Sequence, residues 1–157
     1  METTRHFTGT VYVVNDGATA LHEHAKLGLT LPPGGHVDRD ELPHEAALRE
    51  AREETGLEPT LLSDHGSGPD APEGAPVPRP RSRMLYDIDT YDGEVAHQHI
   101  DDIYYATVPS RDIDPAPGEP DASAWAWYDR DALAASDLPA DVVEFGTAAI
   151  EAASKAP

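Results

Sequence analysis

The chain has 157 residues, 30 of them acidic and 11 basic, so its formal net charge is −19 at pH 7. This length fits a single domain over residues 1–157, and the charge disfavours binding to nucleic-acid polymers or anionic membranes. Because the chain has no cysteine, disulfides and thiolate metal sites are excluded.

Periodic apolar residues predict several short strands and two main helices. The predicted strands lie at residues 7–14, 18–24, 27–31, 58–64, 84–91 and 97–108, and the helices lie at residues 43–55 and from Pro139 onward. Proline and glycine predict a loop insertion at 66–83 and a second loop at 109–120. The third strand, through Leu27, Leu29 and Leu31, leads into a turn that contains Gly34 and Gly35.

The helix at 43–55 carries a group of carboxylates. Helical spacing places Glu50, Glu53 and Glu54 on one face, where like charges repel each other. A divalent cation that prefers oxygen ligands, Mg²⁺ or Mn²⁺, would offset this repulsion. The alternative is a solvated acidic helix face without a ligand.

The residues around this helix follow a longer pattern. Seven identities occur at fixed spacing between Gly35 and Leu57: Gly35, Glu41, Arg49, Glu50, Glu53, Glu54 and Gly56. The pattern resembles the Nudix box, and Ala51 and Leu57 occupy its two apolar positions. Leu42 is a departure, because relatives often have a Ser or Thr there that caps the helix; Asp40 or Glu41 is expected to replace this cap.

The resemblance implies an α/β protein with the Nudix fold, an α/β/α sandwich around a central mixed sheet. It also implies a Mg²⁺- or Mn²⁺-dependent enzyme that cleaves the pyrophosphate bond of a nucleoside diphosphate linked to another moiety. Its substrate would be a small molecule of the nucleotide, nucleotide sugar or ADP-ribose type.

Roles for the box residues follow from the same resemblance. Glu53 and Glu54 would be the principal metal ligands, and Glu50 a further ligand or the general base. The Gly35 carbonyl would reach the metal. Arg49 would orient a glutamate by hydrogen bonding, and Glu41 would brace the loop.

Relatives often have one more carboxylate on a loop before a strand that contains tryptophan, where it completes the metal site or acts as base. Glu119 is the first candidate for this role, Asp121 the second and Glu94 the third. Residues from Trp127 to Leu133 resemble the strand and short helix that follow.

Candidate substrate-binding residues lie outside the box. Arg83 closes a short arginine series, with Arg79 and Arg81, that either binds a substrate phosphate or keeps the loop soluble. Trp127 either stacks on a base or packs in the core. His22 and His24 either meet a phosphate or occupy exposed strand positions.

Two histidines alternate with an aspartate in a later strand, so that His97, His99 and Asp101 share one face. Three interpretations are open: His99 faces the substrate cleft, the histidines form a hydrogen-bonded pair, or the group binds metal. The pattern resembles the metal motif of metallo-β-lactamases, but Asp102 stands where that motif has a histidine. Zinc is therefore disfavoured.

Two rival functions remain at this point. A non-catalytic Nudix-like nucleotide-binding or regulatory module would have the same fold, but such modules typically lose box glutamates that this chain keeps. A hydrolase for inositol or isoprenoid diphosphates is ranked lower.

The composition also bears on the environment of the protein. Abundant acidic residues with only two lysines resemble the proteins of salt-accumulating halophiles. No apolar run reaches the length of a membrane span or signal-peptide core, which predicts a cytoplasmic protein. Nothing fixes the oligomeric state, so a homodimer is possible.

Overall fold

The computed structural model describes residues 2–63 and 68–156. Within these residues there are eight strands and three α-helices, with a short 3₁₀ helix at Ala122–Ala124. The strands are β1 (Thr4–Asn15), β2 (Ala18–His24), β3 (Leu29–Leu31), β4 (Gly34–His36), β5 (Thr60–Leu61), β6 (Ser82–Tyr91), β7 (Glu94–Thr107) and β8 (Trp125–Asp129). The helices are α1 (Pro43–Thr55), α2 (Arg130–Ala135) and α3 (Ala140–Ser154).

The strands form one mixed sheet with β1 and β7 side by side. These two strands are parallel and stay in register from Thr4 opposite His97 to Val14 opposite Thr107. The other pairings are antiparallel: β2 and β4 with β1, β5 and β6 with β7, and β3 and β8 with β2. The long parallel pair is therefore the frame to which the shorter strands attach.

Helices α1 and α3 cover opposite faces of this sheet. Because successive strand residues point to opposite faces, Val13 packs toward α1 and Tyr12 toward α3. The first core layer contains Val11, Val13, Ala47, Ala51, Leu57, Tyr104 and Ala106, and the second contains Tyr12, Val14, Ile103, Tyr105, Val142, Ala149 and Ile150. The predicted α/β/α sandwich is confirmed.

Helix α1 lies unusually close to β1. A Cβ added to Gly9 would lie 2.5 Å from the carbonyl oxygen of Pro43 and 3.0 Å from the amide nitrogen of Ala47. Ala46 and Ala47 are fully buried at the same contact. The small residues on both sides let the two backbones meet, which fixes the height of α1 above the sheet.

Several predicted boundaries are wrong. β1 and β7 begin earlier than expected, while the strand predicted at 58–64 is only Thr60–Leu61, and residue 64 lies outside the described residues. Leu27 is not in a strand, because Gly28 turns the chain with a φ of +62° and its N–H donates to the His24 carbonyl at 2.9 Å.

The predicted insertion at 66–83 ends before Ser82, where β6 begins. Residues 66 and 67 lie outside the described part of the chain. Residues 68–81 add no strand to the sheet, and an isolated bridge joins Ala71 to Gly74. None of the helices in the described ranges combines the length and apolar character needed to cross a membrane.

Candidate active site

The ends of α1 explain how the carboxylate helix is held. The N–H of Leu42 donates to Oε2 of Glu45 at 2.8 Å, which is one half of a capping box, while the Leu42 side chain at the N-cap accepts no hydrogen bond from the first turn. The expectation that Asp40 or Glu41 replaces the missing Ser or Thr is therefore wrong. At the other end Gly56 adopts a φ of +70°, and its N–H donates to the Arg52 carbonyl at 2.8 Å.

Two of the three predicted glutamates point at the glycine turn. The Gly34 N–H donates to Oε2 of Glu54 at 3.0 Å. A Cβ on Gly35 would lie 2.6 Å from Cδ of Glu50, closer than carbon atoms approach without a shift. A Cβ at this position would displace the carboxylate of Glu50, so the glycine leaves room for Glu50 beside the turn.

Arg49 joins the remaining box residues. Its Nε and Nη2 donate to the two carboxylate oxygens of Glu41 at 2.6 and 2.9 Å. Its Nη1 lies 3.0 Å from Oε1 of Glu50 and 3.4 Å from Oε2 of Glu53. Nη2 also donates to the His36 carbonyl at 3.2 Å. One guanidinium therefore orients two helix glutamates and ties the helix to β4 and the following loop.

A later loop attaches to the C-terminal end of α1. The N–H of Asp114 donates to the Thr55 carbonyl and the N–H of Ala116 to the Glu53 carbonyl, both at 2.8 Å. These carbonyls belong to the last turn, where helical partners are missing. The N–H of Glu119 in turn donates to the Ala116 carbonyl at 3.1 Å. The loop thereby carries Glu119 toward the carboxylate helix.

The pKa values record this crowding of acidic groups. The pKa of Glu54 is raised from 4.5 to about 8, chiefly by burial and also by the charges of Glu50, Glu119 and Glu53, while the hydrogen bond from the Gly34 N–H opposes the shift. Burial also raises the pKa of Glu50, where Arg49 opposes the shift and Glu53 and Glu119 add to it. The charge of Glu119 thus acts on both half-buried carboxylates, which places Glu119 near the box glutamates. Its role as a metal ligand or base stays a prediction.

The box glutamates bind protein groups and do not form a ready-made metal site. Among the described residues, the group of three or more His, Asp or Glu side chains that could hold one metal ion consists of four histidines. Arg49 holds Glu50 and Glu53, while Gly34 holds Glu54. Binding of one cation by several of these glutamates would therefore require their side chains to rotate.

The comparisons with known proteins identify the family of the chain. A sequence model of the NUDIX domain matches residues 5–145. The chain belongs to the Nudix family. A Nudix-family hydrolase from Clostridium perfringens is 32% identical, with a TM-score of 0.77 over 94% of this chain and 97% of that one. No curated protein sequence matches the chain.

More distant Nudix structures show the same fold. The MutT protein of Methanosarcina mazei Go1 is 17% identical, with a TM-score of 0.62 and coverage of 99% of both chains. The Ap4A hydrolase of C. elegans is 18% identical, with a TM-score of 0.58 over 99% of this chain and 100% of that one. The predicted Nudix membership and pyrophosphohydrolase class are confirmed. Nudix hydrolases generally cleave nucleoside diphosphate-linked moieties and use divalent metal ions.

In this Nudix protein, the arginines predicted to bind substrate already have partners within the chain. Arg83 donates from Nε and Nη2 to the two oxygens of Asp102, at 2.6 and 2.8 Å, and Asp102 is 1% exposed. This pairing compensates a buried charge, so Arg83 has a structural task. Its neighbour Arg81 donates to the Leu62 carbonyl and lies over the Tyr105 ring.

The tryptophans pack against the core layer under α1. The guanidinium of Arg111 lies 5.3 Å from the centre of the Trp127 ring, and covers one of its faces. The ring of Trp125 lies 4.6 Å from that of His22. His22 is 4% exposed, so its prediction as an exposed strand residue is wrong.

The predicted face of His97, His99 and Asp101 divides into two environments. Asp101 is buried and accepts hydrogen bonds from Thr8 and Thr10, each at 2.9 Å. His99 and His97 instead join His6 and His36, which the sequence analysis did not consider. Burial, followed by the neighbouring histidines, lowers the pKa of His99. The grouping depends on the register of the paired strands, which the sequence pattern does not determine.

Proposed function

We propose that the protein is a Mg²⁺-dependent hydrolase, with Mn²⁺ as substitute, that cleaves the pyrophosphate bond of a nucleoside diphosphate linked to another moiety. The observation that carries this proposal is the placement of Glu50 and Glu54 against the Gly34-Gly35 turn with raised pKa values. Crowded, partly buried carboxylates are the donors that bind a hard divalent cation.

The donor set fits such an ion. Glu50, Glu53, Glu54 and Glu119 offer carboxylate oxygens, and Gly35 offers a carbonyl without a side chain that would fill the space beside Glu50. Mg²⁺ bound by these groups supplies positive charge that stabilises the developing charge on phosphoryl oxygens. No thiolate is present to favour a softer metal.

The protein residues have separable tasks in this proposal. Glu50 accepts the proton of the attacking water, for which its raised pKa is suitable, or acts as a ligand while Glu119 takes that proton. Arg49 fixes the rotamers of Glu50 and Glu53 through the two contacts of Nη1. Glu41 in turn fixes Arg49 through its bidentate pair.

Substrate selection is proposed to lie outside the box. His99, Arg83 and Trp127 remain the proposed substrate-binding residues. In the proposed bound state, each side chain would contact the substrate as well as its present partner. These partners are the histidine group for His99, Asp102 for Arg83 and Arg111 for Trp127. The substrate panel should therefore be broad, with nucleotide sugars, ADP-ribose, nucleoside triphosphates and, given the C. elegans Ap4A hydrolase, dinucleoside polyphosphates.

The test measures phosphate-containing products from this panel with Mg²⁺ or Mn²⁺, in isotopically labelled water that identifies the attacked phosphorus. We expect turnover of at least one nucleoside diphosphate derivative, and loss of that turnover in Glu53→Gln. Glu23→Gln is the matched control, because Glu23 is exposed on β2 and outside the box. Tight nucleotide binding without turnover would instead support the regulatory-module alternative.

Salt is part of the proposed working environment, which we place in the cytoplasm of a halophile. The negative charges of a chain with a net charge of −19 repel one another in dilute buffer. Salt at about 1 M shortens the screening length to roughly 3 Å and so weakens this repulsion. Assays in molar KCl are expected to give higher activity and thermal stability than assays in dilute buffer. Equal values in both would remove the halophilic part of the proposal.

A further inference from the structure

Four of the eight histidines meet on the face of the sheet that also carries α3. His6 comes from β1, His36 from β4, and His97 and His99 from β7. We call these residues the histidine cluster. Each contributes one ring nitrogen to a set in which all nitrogens lie within 4.8 Å of one another.

Strand register explains why these distant residues converge. His6 lies opposite His99 in the parallel pair, and His97 lies opposite Thr4, two residues before His6. His36 lies opposite Thr8 in the antiparallel pair of β4 with β1, two residues after His6. Because residues two apart share a face, all four imidazoles project to the same side. The cluster is therefore built on paired strands rather than on loops.

The contacts within the cluster have the spacing of a metal site. Nδ1 of His6 lies 3.2 Å from Nε2 of His97, and Nε2 of His36 lies 3.3 Å from Nε2 of His99. Ligand nitrogens about 2.0–2.1 Å from a tetrahedral zinc ion are about 3.3 Å apart. Two of the nitrogen pairs already meet this distance, and the remaining nitrogens, up to 4.8 Å apart, would move inward when an ion binds.

The ring arrangement leaves the cluster open to a ligand from solution. Neighbouring rings meet edge to face with centres 4.7–5.1 Å apart. His6 and His36 are exposed, whereas His97 and His99 are half-buried. A metal ion can thus enter from the side of the exposed pair and reach the half-buried pair.

The chemistry selects the kind of ligand. Neutral imidazole nitrogen suits zinc and neighbouring transition metals, whereas Mg²⁺ prefers oxygen. An anion such as phosphate would require charged imidazoles, and four such charges at these distances repel each other. The cluster offers imidazole nitrogens, whereas the group on α1 offers carboxylate oxygens, so the two sites differ in the metal ion that they prefer.

We propose that His6, His36, His97 and His99 bind one divalent transition-metal ion, zinc in the first instance. The site lies outside the Nudix box and does not depend on the proposed pyrophosphohydrolase mechanism. A bound metal ion would link β4 and β7 to β1. Since the His36 carbonyl accepts from Nη2 of Arg49 at 3.2 Å, this link would also stabilise the strand that contains the glycine turn.

The test is a calorimetric titration of the full chain with Zn²⁺ in molar KCl and excess Mg²⁺, which saturates surface carboxylates. We expect one zinc ion per chain and a higher melting temperature in its presence. Replacing zinc by Co²⁺ should give the strong visible absorption of a tetrahedral site. X-ray absorption at the zinc edge should report four nitrogen ligands with imidazole scattering.

Variants decide whether this binding belongs to the cluster. His97→Gln and His6→Gln should weaken zinc binding by more than the roughly 10- to 100-fold that loss of an outer-shell partner costs. His24→Gln is the matched control, because His24 lies on β2 outside the cluster. Circular dichroism of each metal-free variant verifies its fold, and the exposed His6 serves if His97→Gln fails to fold.

Two results would overturn the proposal. One is the absence of saturable zinc binding by the folded wild-type chain under these conditions. The other is zinc binding that His6→Gln and His97→Gln leave as tight as His24→Gln does, because the ion would then be held elsewhere.

Discussion

Arg49 and Glu41 form a two-point ion pair, with Nε and Nη2 of the guanidinium 2.6 and 2.9 Å from the two carboxylate oxygens. Glu41 lies in the loop before α1, eight residues from Arg49. The pair lowers the pKa of Glu41, so this carboxylate stays charged. The same pair orients Nη1 of Arg49 toward Glu50 and Glu53, so Glu41 positions these two helix carboxylates through Arg49.

Arg49→Lys is expected to reduce kcat by about 10- to 100-fold, as loss of an outer-shell partner does. Lysine keeps the charge but has a single nitrogen, which cannot bind both Glu41 oxygens and still reach Glu50. Steady-state kinetics on the best substrate of the panel measures this effect. Arg52→Lys is the control, since Arg52 makes a similar pair with Glu58 on the exposed side of α1. Equal losses in both variants would contradict the orienting task of Arg49.

Gly35→Ala is expected to disturb the site through one methyl group. The added Cβ would lie 2.6 Å from Cδ of Glu50, so the carboxylate, which is the end of a flexible side chain, must move away from the turn. We expect at least about a tenfold loss of activity if Glu50 acts on the reaction. In the control Gly74→Ala, the new Cβ meets Ala71 at an ordinary 3.4 Å. A fully active Gly35→Ala enzyme would contradict a role in the reaction for the present position of Glu50.

The sequence was sufficient for the local parts of the site. Spacing on one helix determines which side chains share a face, and the glycines and carboxylates of the box lie within 23 consecutive positions. The box also implied the fold, and hence a mixed sheet between helices. These features depend on neighbours in sequence or on a pattern that is long enough to identify a family.

Relations between distant strands could not be predicted in the same way. His6 meets His99 because β1 and β7 are parallel and in one particular register, and a shift by one residue would place the rings on opposite faces. The partner of Arg83 was missed for the same reason, since Asp102 lies opposite it only in the register of β6 with β7. The supporting carboxylate on the 109–120 loop could be ranked only by its position in the chain.

Glu119→Gln is expected to raise the Mg²⁺ concentration needed for half-maximal activity by about tenfold or more. Glu119 adds to the raised pKa of both Glu50 and Glu54, whereas Asp121 is exposed and accepts from Ser123 at 3.2 Å. Asp121→Asn should therefore leave the Mg²⁺ dependence close to that of the wild type. Activity as a function of Mg²⁺ concentration compares the two variants. A larger effect of Asp121→Asn would reverse the assignment.

Glu54→Gln is expected to stabilise the metal-free protein at alkaline pH while weakening its response to Mg²⁺. In the folded chain the pKa of Glu54 is raised from 4.5 to about 8. A carboxyl group whose pKa is raised by folding favours the folded state most below pH 4.5, and this contribution is lost as the pH rises toward 8. Glutamine avoids that loss and keeps the acceptor for the Gly34 N–H.

The measurement is the melting temperature of both proteins at pH 5, 7 and 9, after dialysis against EDTA and at constant molar KCl. The difference between Glu54→Gln and the wild type should grow in favour of the variant across this range, because only the wild-type carboxyl ionises. With Mg²⁺ at pH 9 the order should reverse, since the ionised carboxylate then gains a ligand that glutamine binds poorly. A difference that stays constant with pH would mean that Glu54 ionises as freely in the folded chain as in the unfolded one.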